Sequence, residues 1–284
     1  MSSQYAAMKT VNPQRDDIPL GSIEPHAPLL EQPAATQRLY KISRIPHLLD
    51  MLEKNYLHFQ RVDSYTDDCF DGEQSPLDRP NNEQAVFHND PAFNMARYFD
   101  LSRSRTYACC FSLENSDYIW NAYGKAHDSV CLVFEFGKLR QMLNRTMQDS
   151  IESNLLQYGD CRCKQIFSIN YGLVKYIEYA TQELITTRFP NPIQYTFLKD
   201  KPQYQDEQEL RIALSALGMG HFVLDDGREI AFPPSLQFAF NFREAFTARV
   251  VVELLYGRHT APGHIDQLKQ GMEKLGLQPM SLHE

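Results

Sequence analysis

No apolar run in this chain approaches the ~20 residues needed to cross a bilayer, so a protein anchored by a membrane-spanning helix is excluded. Glycine is scarce, 13 in 284 residues, and neither G-x-x-x-x-G-K-[ST] nor G-x-G-x-x-G occurs. A glycine-lined phosphate cradle of the P-loop or dinucleotide type is therefore not expected. H-E-x-x-H and G-x-S-x-G are missing too, which sets aside the common zinc proteases and serine hydrolases. The N-terminus has no basic stretch followed by an apolar one, so no secretory signal is read, and a cytoplasmic location is expected. No internal repeat is found. Positive charge is in deficit: Lys and Arg number 28 against 36 Asp and Glu, a net charge of −8. That argues against broad, phosphate-driven nucleic-acid binding while leaving room for a local basic cleft.

The cysteines do not make a disulfide framework. Cys109 and Cys110 are adjacent in one apolar run and Cys131 sits in another, the pattern of reduced core thiols. Cys161-Arg162-Cys163 offers half a metal site with no second CxxC or His pair nearby to complete it, Cys69 stands alone, and no metal is expected.

The apolar share, 43%, suffices for a real core. Residues 1–36 are rich in Pro, Gln, Ser and Ala and read as a flexible N-terminal arm or a strapped-down extension. Residues 37–284 read as a single domain. Strands are expected at Arg38–Ile42, Tyr56–Phe59, Thr106–Phe111, Val130–Phe134, Ile166–Tyr171, Gln208–Ser215, Glu229–Phe232 and Val250–Tyr256. Helices are expected after Pro46, over 84–102 with a break near Asp90-Pro91, over 117–126, from Gly137, over 173–186, and from Pro262. A short helix fits Ile193–Lys199. Strands and helices do not alternate steadily, so the expected class is α+β: one domain of mixed or antiparallel sheets flanked by helices.

Several segments carry chemistry. In Glu207-Gln208-Glu209-Leu210-Arg211-Ile212-Ala213-Leu214, a period of two puts Glu207, Glu209 and Arg211 on one face and Leu210, Ile212 and Leu214 on the other. Two such carboxylates can divide labour, one offsetting a developing cation and the other accepting a proton. The alternative is an edge strand bearing a solvated charge row. Ser112 closes a buried strand and either orients a ligand or caps a turn. Trp120, the single tryptophan, and Tyr123 are rings able to stack on a base or to fill a core. Asp67, Asp68, Asp71 and Glu73 crowd one loop, either a hard-cation site or an acidic turn. Tyr40, Lys41 and Arg44 on the first strand could hold a phosphate or ribose, or be ordinary surface groups. His127 is either an acid–base group or a hydrogen-bonded structural residue.

The order of segments resembles a bacterial family known as domain of unknown function 2971. The carriers are Leu39-Tyr40-Lys41, Phe59, Asp67-Asp68-Cys69-Phe70-Asp71, Cys110-Phe111-Ser112, Trp120-x-x-Tyr123-x-x-x-His127-x-x-Val130-Cys131-Leu132 and Tyr204-x-x-Glu207-x-Glu209-x-Arg211. The likeness spans about residues 38–260. The chain departs from the family pattern at Ile42, Thr66, Cys69 and Ser129.

A second resemblance, of motif order alone, is to ADP-ribosyltransferases of the Arg-Ser-Glu type, through Lys41 or Arg44, then Ser112, then Glu207-x-Glu209. It implies a split sheet, NAD⁺ as substrate and a macromolecular acceptor (RNA, DNA or protein). It also implies a bacterial defence or toxin role with a possible antitoxin or regulatory partner. In that reading Glu209 is the catalytic carboxylate, Glu207 the acceptor-side base and Ser112 their support. Tyr40, Lys41, Arg44 and Arg211 would contact the cofactor, and Trp120 or Tyr123 would hold the nicotinamide. The competing expectations are a non-catalytic sensor or partner-binding module and, third, a metal-dependent nuclease built on Asp67, Asp68, Asp71 and Glu73.

Overall fold

A computed structural model describes residues 23–66, 68, 70–87, 90–150, 156–158, 161–163, 167–181, 191–216, 221–224, 226–277 and 282–283. The apolar–polar alternation after Gln37 becomes β1 (Arg38–Arg44). Pro46, at the start of the next element, presets the helix Ile45–Lys54. That helix buries Ile45, Leu48, Met51 and Leu52, and stops at Asn55 in the left-handed conformation with φ 55°. The remaining strands follow in order: β2 (Tyr56–Arg61), β3 (Val86–Phe87), β4 (Asp90–Asn94), β5 (Thr106–Ser112), β6 (Ser129–Glu135), β7 (Leu156–Tyr158), β8 (Cys161–Cys163) and β9 (Phe167–Leu173). They continue with β10 (Lys175–Ile177), β11 (Leu198–Asp200), β12 (Glu209–Ala216), β13 (His221–Val223), β14 (Glu229–Ala231), β15 (Ser235–Ala239), β16 (Val251–Tyr256) and β17 (Leu282–His283). The chain is α+β with a large, mainly antiparallel sheet that is not closed into a barrel.

Among the described residues eleven strands join one sheet, and its centre is a fork at β5. One edge of β5 is paired along its whole length with β12, which is paired in turn with β9. The other edge is shared. β1 meets β5 only at Tyr40–Ser112, and β2 meets it only at Gln60–Ala108 and Arg61–Tyr107. Between those contacts β1 and β2 diverge, β1 towards β6 and β16, β2 towards β15 and β7.

The two faces of this sheet differ. Tyr107, Cys109 and Phe111 of β5 and Leu210, Ile212 and Leu214 of β12 lie on one face, in the main hydrophobic core. Leu48 and Leu52, Leu139 and Leu143, and Leu268 and Met272 cover that face from three helices, Ile45–Lys54, Phe136–Ser150 and Pro262–Lys274. The opposite face carries Ser112, Cys110 and Ala108 beside Glu209, Arg211 and Ala213.

The structure corrects several expectations. Val86–Phe87 and Asp90–Asn94 pair as antiparallel strands β3 and β4, not helix, with residues 88–89 outside the described residues; the helix begins only at Met95, where the Asn94 side chain accepts the Arg97 N–H as an N-cap. The helical spacing from 173 is overridden as well. Lys175–Ile177 pairs in parallel with Leu198–Asp200, a cross-chain ladder that local periodicity cannot register, and residues 182–190 lie outside the described residues. Residues 193–197 belong to a 3₁₀ helix, Pro192–Phe197, opened by a capping box between Asn191 and Gln194. The part of the N-terminal arm that is described is strapped down: Ile23 and Glu31 accept β9 backbone N–H groups, and Glu24 binds Arg140.

Candidate functional site

A cleft of about 590 Å³ opens over the fork. β1 supplies Tyr40, Lys41 and Ile42; β2 supplies His58 and Gln60; β5 supplies Cys110, Phe111 and Ser112; β12 supplies Glu209 and Arg211. Tyr123 comes from the helix Asp117–Tyr123, Tyr65, Asp68 and Asp71 from the acidic loop, and Lys199 and Glu207 from the segment before β12. The volume falls within the roughly 300–1,000 Å³ range of small-molecule sites.

The register explains why distant residues meet here. Tyr40 pairs with Ser112 and Ser112 pairs with Glu209, so one row crosses three neighbouring strands, from the β1 wall of the cleft onto its floor. Glu209 and Arg211 share that face, as the period of two predicts. The strand is not an edge, however. It is buried between β5 and β9, and the solvated charge row considered as the alternative does not exist. Glu207 is not on the strand either. It ends the 3₁₀ turn Gln205–Glu207, and the left-handed Gln208 (φ 46°) separates it from β12.

The charges of the cleft form a connected chain. Arg211 is fully buried and uses all five of its N–H donors. Nε and Nη2 bind Glu209 at 2.8 and 3.1 Å, Nη1 and Nη2 bind Asp71 at 2.6 and 2.9 Å, and Nη1 also reaches the Thr196 carbonyl at 2.7 Å. Lys199 Nζ donates to Glu207 at 2.8 Å and lies 3.3 Å from Glu209 and 3.9 Å from Asp68. The Tyr123 hydroxyl donates to the other oxygen of Glu207. Burial alone would raise the Glu209 pKa, but Arg211 and Lys199 outweigh it and hold the carboxyl at about 2. Glu209 is thus a permanent anion, suited to offsetting positive charge and ill suited to taking a proton. Asp68 moves the other way, raised by burial and then by the nearby Asp71. Burial, then the negative charge of Glu207, pushes the Tyr123 hydroxyl well above its ordinary value.

This electrostatic arrangement has a pH consequence. The depressed pKa of Glu209 contributes stability that is fully present above about pH 4.5, its ordinary value, and is lost as the pH falls towards about 2. The span corresponds to roughly 3 kcal/mol. Urea midpoints measured from neutral pH downward should therefore fall in acid for the native chain, and less steeply for Glu209→Gln. Equal slopes would contradict the assignment. Asp68 acts in the opposite sense, so its neutralisation by Asp68→Asn should steepen the acid loss.

Most of the residues singled out from sequence converge here: Ser112, Glu207, Glu209, Tyr40, Lys41, Tyr123 and Arg211 all line the cleft. Lys41 shares the Leu132 register on the core face of β1, and its Nζ donates to the Cys110 carbonyl at 3.3 Å inside the fork. Two residues are not brought in. Arg44 is held by Asp128 through three hydrogen bonds of 2.8–3.1 Å. Trp120 lies on another side of its helix, in a second hollow. Ser112 does not touch the Glu209 carboxylate. Its hydroxyl lies 2.9 Å from the Glu114 and Glu207 carbonyls, so it shapes the turn that presents Glu207.

Among the described residues, the carboxylates of the acidic loop are not gathered at one point. Asp71 is taken by Arg211, while Glu73 is taken by Arg79 and Arg103. Asp67 and Cys69 lie outside the described residues, as do the side chains of Cys161 and Cys163. Among the described residues no group of three or more His, Cys, Asp and Glu is arranged to hold a metal ion. His127 donates through Nδ1 to the His259 carbonyl, 3.0 Å away, and is not among the cleft residues. Sequence reading missed Tyr65 and Asp71's pairing with Arg211, whose partners are 45 and 140 positions away, and Lys199, which meets Glu207 only because the chain turns back between β11 and β12.

Residues 119–212 match the model of a family described as a protein of unknown function (DUF2971). The matched stretch holds Tyr123, Lys199, Glu207, Glu209 and Arg211 and leaves out Tyr40, Asp71 and Ser112. No curated protein matches the chain. No solved structure matches it either. Among the described residues no helix is long and apolar enough to cross a membrane.

Proposed function

We propose that the cleft binds NAD⁺, cleaves its nicotinamide–ribose bond and passes ADP-ribose to a macromolecular acceptor, nucleic acid or protein. The observation that carries this reading is the Tyr40–Ser112–Glu209 row at the base of a forked sheet, with an always-ionised carboxylate at its end. As nicotinamide leaves with the bonding electron pair, positive charge develops on the ribose, and Glu209 is the group that offsets it. The acceptor nucleophile then bonds to the same ribose carbon. Its proton goes to a carboxylate at the rim: Glu207, held between Tyr123 and Lys199, or Asp68, whose raised pKa favours proton capture. Tyr40, Tyr65 and Tyr123 supply ring surface for the nicotinamide and adenine, and Lys41 is the cation at the fork. The test is incubation of the purified chain with NAD⁺, alone and with cellular RNA, DNA or protein, reading free nicotinamide. Release that depends on an acceptor is expected, and no release with any acceptor would reject the reading.

One observation favours a second reading, a binding module without turnover. Every donor of Arg211 is satisfied within the protein, as in a structural ion network. Tight complex formation without nicotinamide release would support it.

A further inference from the structure

The helix Asp117–Tyr123 separates two hollows. Ile119 and Tyr123 face the cleft, whereas Trp120 and Asn121 face a second cavity of about 560 Å³ that also includes Asn115, Asp117, Arg258 and His259. Its aromatic wall is built with care. The indole N–H donates to Asn115 Oδ1 at 2.7 Å, which fixes the ring's polar edge. Two glycines seat the six-membered part of the ring: a Cβ on Gly124 would come within 2.4 Å of it, and one on Gly257 within 2.8 Å.

Next to the ring, following Gly257, Arg258 and His259 occupy the centre of a tight turn. The Thr260 N–H closes the turn on the Gly257 carbonyl at 2.8 Å, and the Gly257 N–H donates back to Thr260 Oγ1 at 3.1 Å. Thr260 Oγ1 itself donates to the Ser129 carbonyl at 2.7 Å, so the turn is anchored to β6. Both central side chains are exposed, and Arg258 has no ion-pair partner among the described residues, although the chain carries a net charge of −8. A fixed ring, an unpaired guanidinium and flanking amide and carboxylate groups are the set that recognises a nucleotide: a face for the base, a fork for the phosphate, and acceptors and donors for the base edge.

We propose that this hollow is a nucleotide-binding site, with the base on Trp120 and the phosphate at Arg258, independent of what the cleft does. The same chemistry is offered by a free nucleotide and by a nucleotide of a single strand, and the test separates them. Because the chain has one tryptophan, its fluorescence and its single indole N–H resonance report this hollow directly. Titrating the full chain with each common ribonucleoside monophosphate, and with short single-stranded RNA and DNA, should give a saturable change in both signals. Arg258→Ala should weaken binding about tenfold, and Gly257→Val, which drives a side chain into the ring's seat, should do so more strongly. Strands binding much more tightly than monophosphates would identify a strand site; equal affinities would identify a free-nucleotide site. No change in either signal, or binding indifferent to Arg258→Ala and Gly257→Val, overturns the proposal. So does binding lost only on Tyr123→Ala, which would put the nucleotide in the cleft.

Discussion

Replacing Arg211 by methionine is expected to remove most of the folded population. The substitution is close in volume, so the loss comes from charge. Asp71 and Glu209 would remain buried, 2% and 4% exposed, with their shared counter-ion gone. Breaking a buried ion pair by deleting one partner typically costs roughly 3–5 kcal/mol, a large part of the 5–15 kcal/mol that holds an ordinary domain together. Thermal unfolding should fall by roughly 10 °C or more where a folded fraction survives. Adding Asp71→Leu and Glu209→Leu to the same chain should restore much of the loss, since an apolar set of similar size avoids the desolvation penalty altogether. A single Arg211→Met variant as stable as the native chain would show that the network contributes nothing to the fold.

The second large effect concerns turnover. Glu209→Gln keeps the size and a carbonyl to accept from Arg211 and Lys199, but it removes the negative charge at the end of the cross-strand row. Nicotinamide release should drop about 10²–10³-fold, the usual cost of deleting a group aimed at developing charge. Circular dichroism on the same sample distinguishes lost chemistry from lost structure. Glu207→Gln should act differently. It should slow transfer to the acceptor more than it slows nicotinamide release into water, because Glu207 sits beside Tyr123 and Lys199 and outside the row. Full activity in Glu209→Gln would reject the proposed role of this carboxylate.

Much of the cleft was legible because strand periodicity is a local property. Glu209, Arg211 and the apolar Leu210, Ile212 and Leu214 separate onto two faces from spacing alone, and Ser112 ends an apolar, β-prone run that reads as a buried strand. What pairs with what was not legible. Arg211 meets Asp71 from 140 positions away, and Arg44 meets Asp128 from 84, with no local pattern to select either acid. Trp120 and Tyr123 read as equivalent rings on one helix. The difference between them comes from Gly257, remote in sequence, which leaves a seat for the indole on the far side. The segment 86–94 failed for a different reason. Its apolar spacing suits a helix, but Pro91 withholds a backbone donor and Asn94 is placed to start the helix afresh.

The fork gives the two sides of the cleft unequal stiffness. Its floor, β5 with β12, is laced by seven facing pairs, and β12 is laced again to β9. Its walls, β1 and β2, are tied to β5 by one pair and two pairs. Thermal breathing of the sheet is therefore concentrated where the walls join. The mouth can widen to admit a bulky guest while Glu209 and Arg211 keep their spacing, so the charged base and the entrance behave as mechanically separate parts.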